Sequence, residues 1–207
     1  MNRTTAIACV IIAAIAMGDC AWAGGGPLGI DHRIGFDEHG IWNRGNQKAL
    51  ELLTIGSAFG GALWEGSDSR LGRTFWQSVD SSLISGAGYL ALNNSLHRLR
   101  PSQTDDPNQW FKSGGHSFPS GEVSAITSII TPFVLEYGRD SPAVYALTLL
   151  PLYDGVARMK SHGHWQTDVL ASYALGTMAG YYAHSREQPF TVQVLPHGLT
   201  VGWRKAF

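Results

Sequence analysis

Three short segments, 93–101 (NNSLHRLRP), 116–122 (HSFPSGE) and 158–168 (RMKSHGHWQTD), decide how this chain folds and what chemistry it supports. The first segment ends in an arginine followed by a proline. The second places a serine and a glycine at the start of a predicted helix, and the third contains a histidine with a carboxylate four residues later. Two guanidinium groups, a helix N-terminus and an imidazole together suit phosphoryl transfer through a histidine.

The third segment contains the candidate nucleophile. His164 and Asp168 are four residues apart, so on a helix they would share one face. The carboxylate could then bind one imidazole nitrogen and leave the other free to attack phosphorus. Arg158, six residues before the histidine, could hold phosphoryl oxygens with two N–H groups. Each residue alone is more typical of a structural or surface role, and only the order of the three segments favours catalysis.

The other two segments contain candidate phosphate-binding groups. Arg100 precedes Pro101, and Ser120 and Gly121 follow Pro119 at the start of a predicted helix. The serine hydroxyl and the unpaired backbone N–H groups of that helix could bind a phosphate. The alternative interpretation is an ordinary helix cap, which is frequent.

The order of these residues resembles the three-part signature of the type-two phosphatidic acid phosphatase and vanadium haloperoxidase superfamily, KxxxxxxRP, PSGH and SRxxxxxHxxxD. Arg100 and Pro101 match the end of the first part, and residues 119–121 match most of the second. Segment 158–168 matches the third part at its full spacing. The intervening lengths, 17 residues from 102 to 118 and 34 residues from 123 to 156, are similar to those of the family.

The resemblance implies an all-α helical bundle with the active site at one end and no cofactor or metal. His164 would form a phosphohistidine, and Asp168 would orient it. The resemblance also implies a set of groups that bind the phosphoryl oxygens, namely Arg100, Arg158, Ser120 and the amide of Gly121. The expected partner is a phosphate-bearing small molecule or lipid.

Three positions depart from the family pattern. Asn93 stands where the family has a phosphate-binding lysine and is a further candidate phosphate-binding residue. Ala157 replaces a serine, and Glu122 replaces the histidine that protonates the leaving group. Burial near an anionic phosphate should raise the pKa of Glu122, so a protonated glutamic acid could act as the general acid. His116, on the same loop, is an auxiliary candidate for this role.

Two classes of function follow from this pattern. The first is an exported phosphatase that hydrolyses phosphate monoesters or diphosphates, including lipid-linked ones. The second is a non-catalytic anion- or lipid-binding envelope protein on a degenerate phosphatase fold. A third hypothesis uses His162, His164, Asp168 and Glu122 as zinc ligands. The two arginines argue against it, because a cation site disfavours neighbouring guanidinium groups, and we favour the phosphatase.

Residues 1–23 of the 207-residue chain are typical of a cleaved signal peptide, which predicts export to the periplasm or cell envelope. They combine Arg3, an apolar run from 6 to 17 and an Ala-Trp-Ala cleavage site. Cys9 and Cys20 both lie in this segment, so the mature chain would have no disulfide. The net charge of −1, without a run of lysines or arginines, argues against nucleic acid as the main partner.

The remaining chain is predicted to form an irregular arm (24–46), a helical domain (47–186) and a C-terminal β-hairpin (187–207). Hydrophobic spacing and capping signals predict five helices, at about 46–59, 70–99, 120–137, 142–157 and 165–182. Gly60 and Gly61 should end the first helix, and Ser141 should cap the fourth. No mature stretch is an uninterrupted apolar run of about 18 residues, which favours core helices over membrane spans but leaves peripheral membrane contact open.

Overall fold

The computed structural model describes residues 24–186, 191–195 and 198–202. The predicted signal peptide, residues 1–23, lies outside the described residues. The described residues form a bundle of five α-helices: α1 (Arg44–Glu65), α2 (Arg70–Leu96), α3 (Gly121–Tyr137), α4 (Leu149–Lys160) and α5 (Gln166–Ser185). Two 3₁₀ helices, Gly40–Trp42 and Pro142–Thr148, precede α1 and α4. The predicted all-α fold class is confirmed.

Helix α3 lies at the centre of the bundle and contacts the other four helices. Its sequence is apolar around much of its circumference, and Val123, Ile126, Ile129 and Ile130 are buried. A helix that is apolar on several faces is stable only when neighbouring helices cover those faces. Segment 116–122 leads into α3, so the buried position of this helix fixes the segment at one end of the bundle.

Small residues let α2, α3 and α5 approach one another closely. A Cβ atom on Gly176 of α5 would lie 2.6 Å from the carbonyl oxygen of Ser124 in α3. The Ser81 hydroxyl of α2 donates to the carbonyl oxygen of Ser128 at 2.7 Å, and Ser78 makes a similar bond to α3. These interhelical contacts are therefore hydrogen-bonded and tightly packed, with few large apolar side chains between the three helices.

Helix α1 continues through the two glycines to Glu65, so the predicted end at Gly60 and Gly61 is wrong. A Cβ atom on Gly61 would lie 2.5 Å from the Phe75 ring of α2. The glycine therefore serves the packing of two helices and not the end of one. Helix α2 ends at Leu96, a turn earlier than predicted.

The fourth predicted helix is divided in two. Residues Pro142–Thr148 form a 3₁₀ helix, and α4 begins only at Leu149. Ser141 makes no side-chain capping bond, so its predicted role is wrong. By contrast, α3 begins at Gly121 as predicted. The Ser120 side chain caps it by accepting a hydrogen bond from the Val123 backbone, which is the alternative interpretation of this residue.

The C-terminal part contains two antiparallel strands, β1 (Thr191–Leu195) and β2 (Gly198–Gly202), with Thr191 opposite Gly202. The predicted turn at 196–197 and the flanking segments 187–190 and 203–207 lie outside the described residues, so the complete hairpin remains a prediction. None of the helices in the described part has the length and apolar content needed to cross a bilayer.

One buried carboxyl group stands apart from the hydrogen-bonded core. Asp154 of α4 is 0% exposed, and neither of its carboxylate oxygens has a hydrogen-bond partner among the described residues. Burial and the negative charge of Glu122 raise the pKa of Asp154 to about 7, against the opposing effect of Arg158. The folded protein therefore holds a proton here that the unfolded chain releases near pH 4.

We expect Asp154→Asn to stabilise the protein in a pH-dependent way. The unfolded chain loses this proton at lower pH than the folded protein, so stability falls as pH rises from about 4 to 7. The variant removes that loss: its free energy of unfolding should exceed that of wild type by about 2–4 kcal/mol at pH 8 and by less than about 1 kcal/mol at pH 4.

Urea unfolding followed by tryptophan fluorescence measures this difference. Asp68→Asn, at an exposed carboxyl, is the matched control and should show no such dependence. Equal effects of Asp154→Asn at both pH values would contradict the interpretation.

Candidate active site

The candidate site lies at the end of the bundle where five elements meet. They are the start of α1, the loop 97–120, the start of α3, the end of α4 and the segment 161–165 before α5. All three segments singled out in the sequence contribute to this end of the molecule.

His164 is buried, with 5% of its surface exposed, in the segment between α4 and α5. Its Nδ1 atom lies 2.5 Å from the carbonyl oxygen of Ser117. Because a carbonyl oxygen only accepts, Nδ1 carries the proton and Nε2 retains its lone pair. Burial lowers the pKa of His164 well below its usual value, and the charges of Arg158 and Arg100 lower it further. The imidazole is therefore neutral at physiological pH, as a nucleophile must be.

Asp168 is fully buried but does not form the predicted hydrogen bond with the imidazole. Its Oδ2 accepts from the Ser117 hydroxyl at 2.5 Å and from the Trp165 backbone N–H at 2.8 Å. The prediction failed because α5 begins at Gln166, so His164 precedes the helix and does not share its face. Ser117 instead connects the two residues, bonding Asp168 with its hydroxyl and His164 with its carbonyl.

The Asp168 carboxyl is held as an anion by its neighbours. Burial raises its pKa to about 6, while Arg98, Ser117 and the Trp165 backbone N–H oppose this effect. At neutral pH the carboxyl is therefore ionised and accepts several hydrogen bonds. Its role in this structure is to hold Ser117, and through it the orientation of His164.

Arg158 and Arg100 lie on different sides of the candidate site. Arg158 is buried at the end of α4, and its Nη1 lies 3.3 Å from Oε1 of Gln47. A Cβ atom on Gly163 would lie 2.5 Å from Nη2 of Arg158, so the glycine makes room for the guanidinium group. Arg100 is half-buried and donates to the carbonyl oxygen of His116 at 3.2 Å. The charges of both arginines act on His164, and their phosphate-binding role stays a prediction.

Ser120 and Gly121 stand at the N-terminus of α3. The Ser120 backbone N–H donates to the Ser172 hydroxyl at 2.7 Å, and its side chain caps the helix. Gly121 is the first helical residue, so its N–H has no partner within the helix. A Cβ atom there would lie 3.1 Å from the Tyr89 ring, which keeps this position small. The phosphate-binding role of these two residues stays a prediction.

Glu122 forms a two-pronged ion pair with Arg44 from the start of α1. Nη1 of Arg44 donates to Oε2 at 2.5 Å, and Nη2 donates to Oε1. Burial raises the pKa of Glu122, but the bond to Arg44 and the charges of Arg158 and Arg100 outweigh it, and the pKa is lowered. The predicted raised pKa is therefore wrong for this state, because a cation 78 residues away in sequence neutralises the carboxylate.

Asn93 and His116 form a pair that supports the loop. The Asn93 side chain donates to the carbonyl oxygen of Phe118 at 3.1 Å, and its Oδ1 lies 2.9 Å from Nδ1 of His116. Asn93 is buried and both ends of its amide are occupied, so it positions the loop. This finding contradicts its predicted contact with phosphate. His116 is exposed, next to Ser117, and keeps Nε2 for another partner.

Sequence reasoning missed four residues that shape the site: Arg44, Gln47, Arg98 and Ser117. Arg98 is 0% exposed, and its guanidinium group pairs with Asp31 and Asp168 at 2.5 Å each. In sequence it resembles any charged residue near the end of a helix. The spacing of Arg44 and Gln47 on one helical face was the only signal for that pair, and it is weak.

The zinc hypothesis is not supported by the arrangement of its ligands. Nε2 of His162 lies 2.7 Å from the carbonyl oxygen of Ile34, and the two carboxylates are paired with arginines. In the described part of the chain, no group of three or more His, Cys, Asp or Glu side chains is arranged to hold a metal ion.

Comparison with known proteins adds three findings. A family model described as the PAP2 superfamily matches residues 76–190. A lipid A 1-phosphatase of Porphyromonas gingivalis is 34% identical over 88 residues, which are 42% of this chain and 18% of that protein. The crystal structure of Aquifex aeolicus LpxE matches with a TM-score of 0.51 and 18% identity, covering 68% of this chain and 84% of that chain.

The family match covers more than half of the chain and includes most of α2, all of α3, α4 and α5, and the three sequence segments. Helix α1, with Arg44 and Gln47, lies before it. The likeness to the solved structure supports the helical fold. This chain belongs to the PAP2 superfamily.

Proposed function

We propose that this protein is an exported phosphatase that hydrolyses phosphate monoesters or diphosphates, above all lipid-linked ones, through a phosphohistidine on His164. The observation that carries this proposal is the state of that imidazole. It is buried and neutral, its Nδ1–H is bonded to the Ser117 carbonyl oxygen, and two arginines influence it. Export rests on residues 1–23, which lie outside the described residues.

The reaction would begin with the phosphoryl group bound by Arg100, Arg158 and the N-terminus of α3. Nε2 of His164 attacks phosphorus, forming a P–N bond as the P–O bond to the leaving group breaks and its oxygen takes up a proton. A water molecule then attacks the phosphohistidine, which releases inorganic phosphate and restores the imidazole. Cations around the transferred group stabilise the charge that its oxygens carry in the transition state.

Positioning of the imidazole depends on the residues behind it. A phosphorylated imidazole carries a positive charge, and its Nδ1–H remains bonded to the Ser117 carbonyl oxygen. Asp168 holds Ser117 from the other side. The negative charge of Asp168 therefore favours the intermediate through an intervening residue and not by direct contact.

An apolar groove along α1 favours a lipid-linked substrate. It has a volume of about 360 Å³ and is lined mainly by apolar side chains, including Leu50 and Leu53 of α1, Phe75 of α2 and Ile130 of α3. Leu50 lies about one helical turn from Gln47, which contacts Arg158. An acyl chain attached to the bound phosphate could extend along this side of α1. The similarity to a lipid A 1-phosphatase supports the same substrate class.

A non-catalytic anion-binding role is the second candidate. The Arg44–Glu122 ion pair favours it, because an ionised Glu122 held by Arg44 has no proton to give to a leaving group. Turnover measurements separate the two functions.

We expect wild-type protein to release phosphate from lipid phosphates, and His164→Ala to lower kcat/KM by about a thousandfold or more, since the nucleophile is lost. The lowered pKa of His164 keeps the imidazole neutral in mildly acidic solution, so activity should not fall through protonation of this residue near pH 6.5. Rapid quenching with radiolabelled substrate should trap an acid-labile phosphoprotein in wild type alone.

His39→Ala, at an exposed histidine of the N-terminal arm, is the matched control and should retain full activity. Full activity of His164→Ala would exclude the phosphohistidine. An inert wild type that still binds phosphate would favour the anion-binding role.

We expect Leu53→Gln to raise KM for long-chain lipid phosphates about tenfold, because the glutamine cannot bury an acyl-chain methylene group in the groove as the leucine would. KM for soluble phosphate esters should not change. Leu52→Gln is a close control, because Leu52 is 73% exposed and Leu53 is 69% exposed, yet only Leu53 is among the residues lining the groove. Equal effects of the two substitutions on steady-state kinetics would contradict the assignment of the groove.

A further inference from the structure

The ion pair between Arg44 and Glu122 lies where a phosphate would have to bind. Glu122 is adjacent to Gly121 at the N-terminus of α3, and its Oε2 is 3.9 Å from Nε of Arg158. A carboxylate held by two N–H groups of one arginine resembles a phosphoryl group held by the same fork. Glu122 thus occupies the position of an anionic ligand.

Arg158 shows that this arrangement leaves part of the site unsatisfied. Its Nε is buried and has no hydrogen-bond partner among the described residues. The Glu122 oxygen at 3.9 Å is too distant for a hydrogen bond. A buried guanidinium N–H without a partner is costly, and a tetrahedral anion between the two arginines would supply one.

We propose that the substrate phosphate displaces Glu122 from Arg44, so that Arg44 becomes a phosphate-binding residue and the released Glu122 becomes the proton donor to the leaving group. This inference rests on the proposed phosphatase function. It assigns a role to α1, which lies outside the family match, and it accounts for two of the three departures from the family signature together. Arg44 replaces the charge missing at Asn93, and Glu122 replaces the missing histidine.

The proton on Glu122 would be acquired through substrate binding. Burial is the largest influence on the pKa of Glu122 and raises it, whereas Arg44, Arg158 and Arg100 lower it. A phosphate that takes over these cations cancels their effect, and its own negative charge adds to that of burial. The carboxyl then takes a proton from solvent.

Charged and titratable groups of the neighbouring elements lie around Glu122 and the adjacent Gly121. The charged and titratable residues are Arg44 and Glu51 of α1, Tyr89 of α2, Asp154 and Arg158 of α4, and Arg100 of the loop. The carboxyl groups of Glu51 and Asp154 interact with Glu122 by like-charge repulsion, so they also favour its protonated form once the arginines are engaged.

The proton and the bonds balance over the two steps. As Nε2 of His164 forms its bond to phosphorus, the P–O bond to the leaving group breaks and Glu122 gives its proton to that oxygen. In the second step a water oxygen attacks phosphorus, the P–N bond breaks, and the Glu122 carboxylate accepts the proton of the water. The released phosphate leaves, Glu122 gives its proton back to solvent, and the carboxylate returns to Arg44.

Sulfate binding tests the exchange without turnover, because sulfate remains a dianion across neutral pH. We expect calorimetric titration at pH 6, in buffers of different ionisation enthalpy, to show about one more proton taken up per sulfate by wild type than by Glu122→Gln. Glu122→Gln should also bind sulfate more tightly at pH 7, because a neutral amide does not compete for Arg44. The same titrations in an Asp154→Asn background exclude proton uptake by Asp154.

Arg44→Gln should weaken sulfate binding about tenfold to a hundredfold, through the loss of a charged two-pronged contact. Arg44→Lys should recover part of it. Arg70→Gln is the matched control, since Arg70 also pairs with carboxylates but lies at the far end of the bundle. It should leave sulfate binding unchanged.

Leaving-group dependence tests the role of Glu122 as an acid. Glu122→Gln should lower kcat for an alkyl phosphate about a hundredfold or more and leave p-nitrophenyl phosphate nearly unaffected, because that leaving group needs no proton. A structural defect would affect both substrates alike.

Two patterns of results separate this inference from the function it rests on. If wild type turns over substrate through His164, but proton uptake is the same in wild type and Glu122→Gln, the exchange is overturned and the phosphatase stands. If sulfate binds with the expected uptake but no substrate is hydrolysed, the exchange of Arg44 partners stands, while the proton-donor role fails together with the proposed function. Absence of sulfate binding by wild type would overturn the exchange directly.

Discussion

The buried charge of Arg98 is the constraint on which the rest of the site depends. Its guanidinium group lies between the carboxylates of Asp31 and Asp168, and it packs against the rings of Trp110 and Trp165. A charge removed from water costs several kcal/mol unless it is paired and hydrogen-bonded. The N-terminal arm, the loop 97–120 and the start of α5 must therefore assemble together. Through Asp168, this assembly fixes Ser117 and His164.

The charged cluster around Arg158 differs from the cluster around Arg98 in its capacity to bind a ligand. Around Arg98 both carboxylates are fully buried and fully paired, so the cluster is closed to ligands. Around Arg158, one guanidinium N–H has no hydrogen-bond partner within the part of the chain that the structure describes, and Glu122 and Arg44 are partly exposed. Two clusters with similar composition thus have opposite roles: the first holds the loop, and the second is suited to exchanging an internal anion for an external one.

Sequence patterns predicted the parts of this site whose geometry is local. The convergence of the three segments and the cap of α3 follow from spacing, and both are found. The contact between His164 and Asp168 was mispredicted because the prediction placed both residues on one helix. Helix α5 begins at Gln166, two residues after His164, so the two side chains do not share a helical face. The pKa of Glu122 was mispredicted because Arg44 belongs to a segment taken for an irregular arm. Interactions between distant charges carry no periodicity, so no pattern in the sequence indicates them.

Helix α1 links the chemistry of the site to its choice of substrate. Its first turns carry Arg44 and Gln47 against Arg158 and Glu122, and its next turns carry Leu50 and Leu53 along the groove. Residues 47–58 span about 16 Å of helix, so one rigid element extends from the phosphate position along the apolar surface. The matched family region contains the proposed nucleophile and its support, which would suit any phosphate ester. Discrimination among esters would then reside in α1, because this helix contacts both the anion site and the groove where a substrate's apolar part would lie.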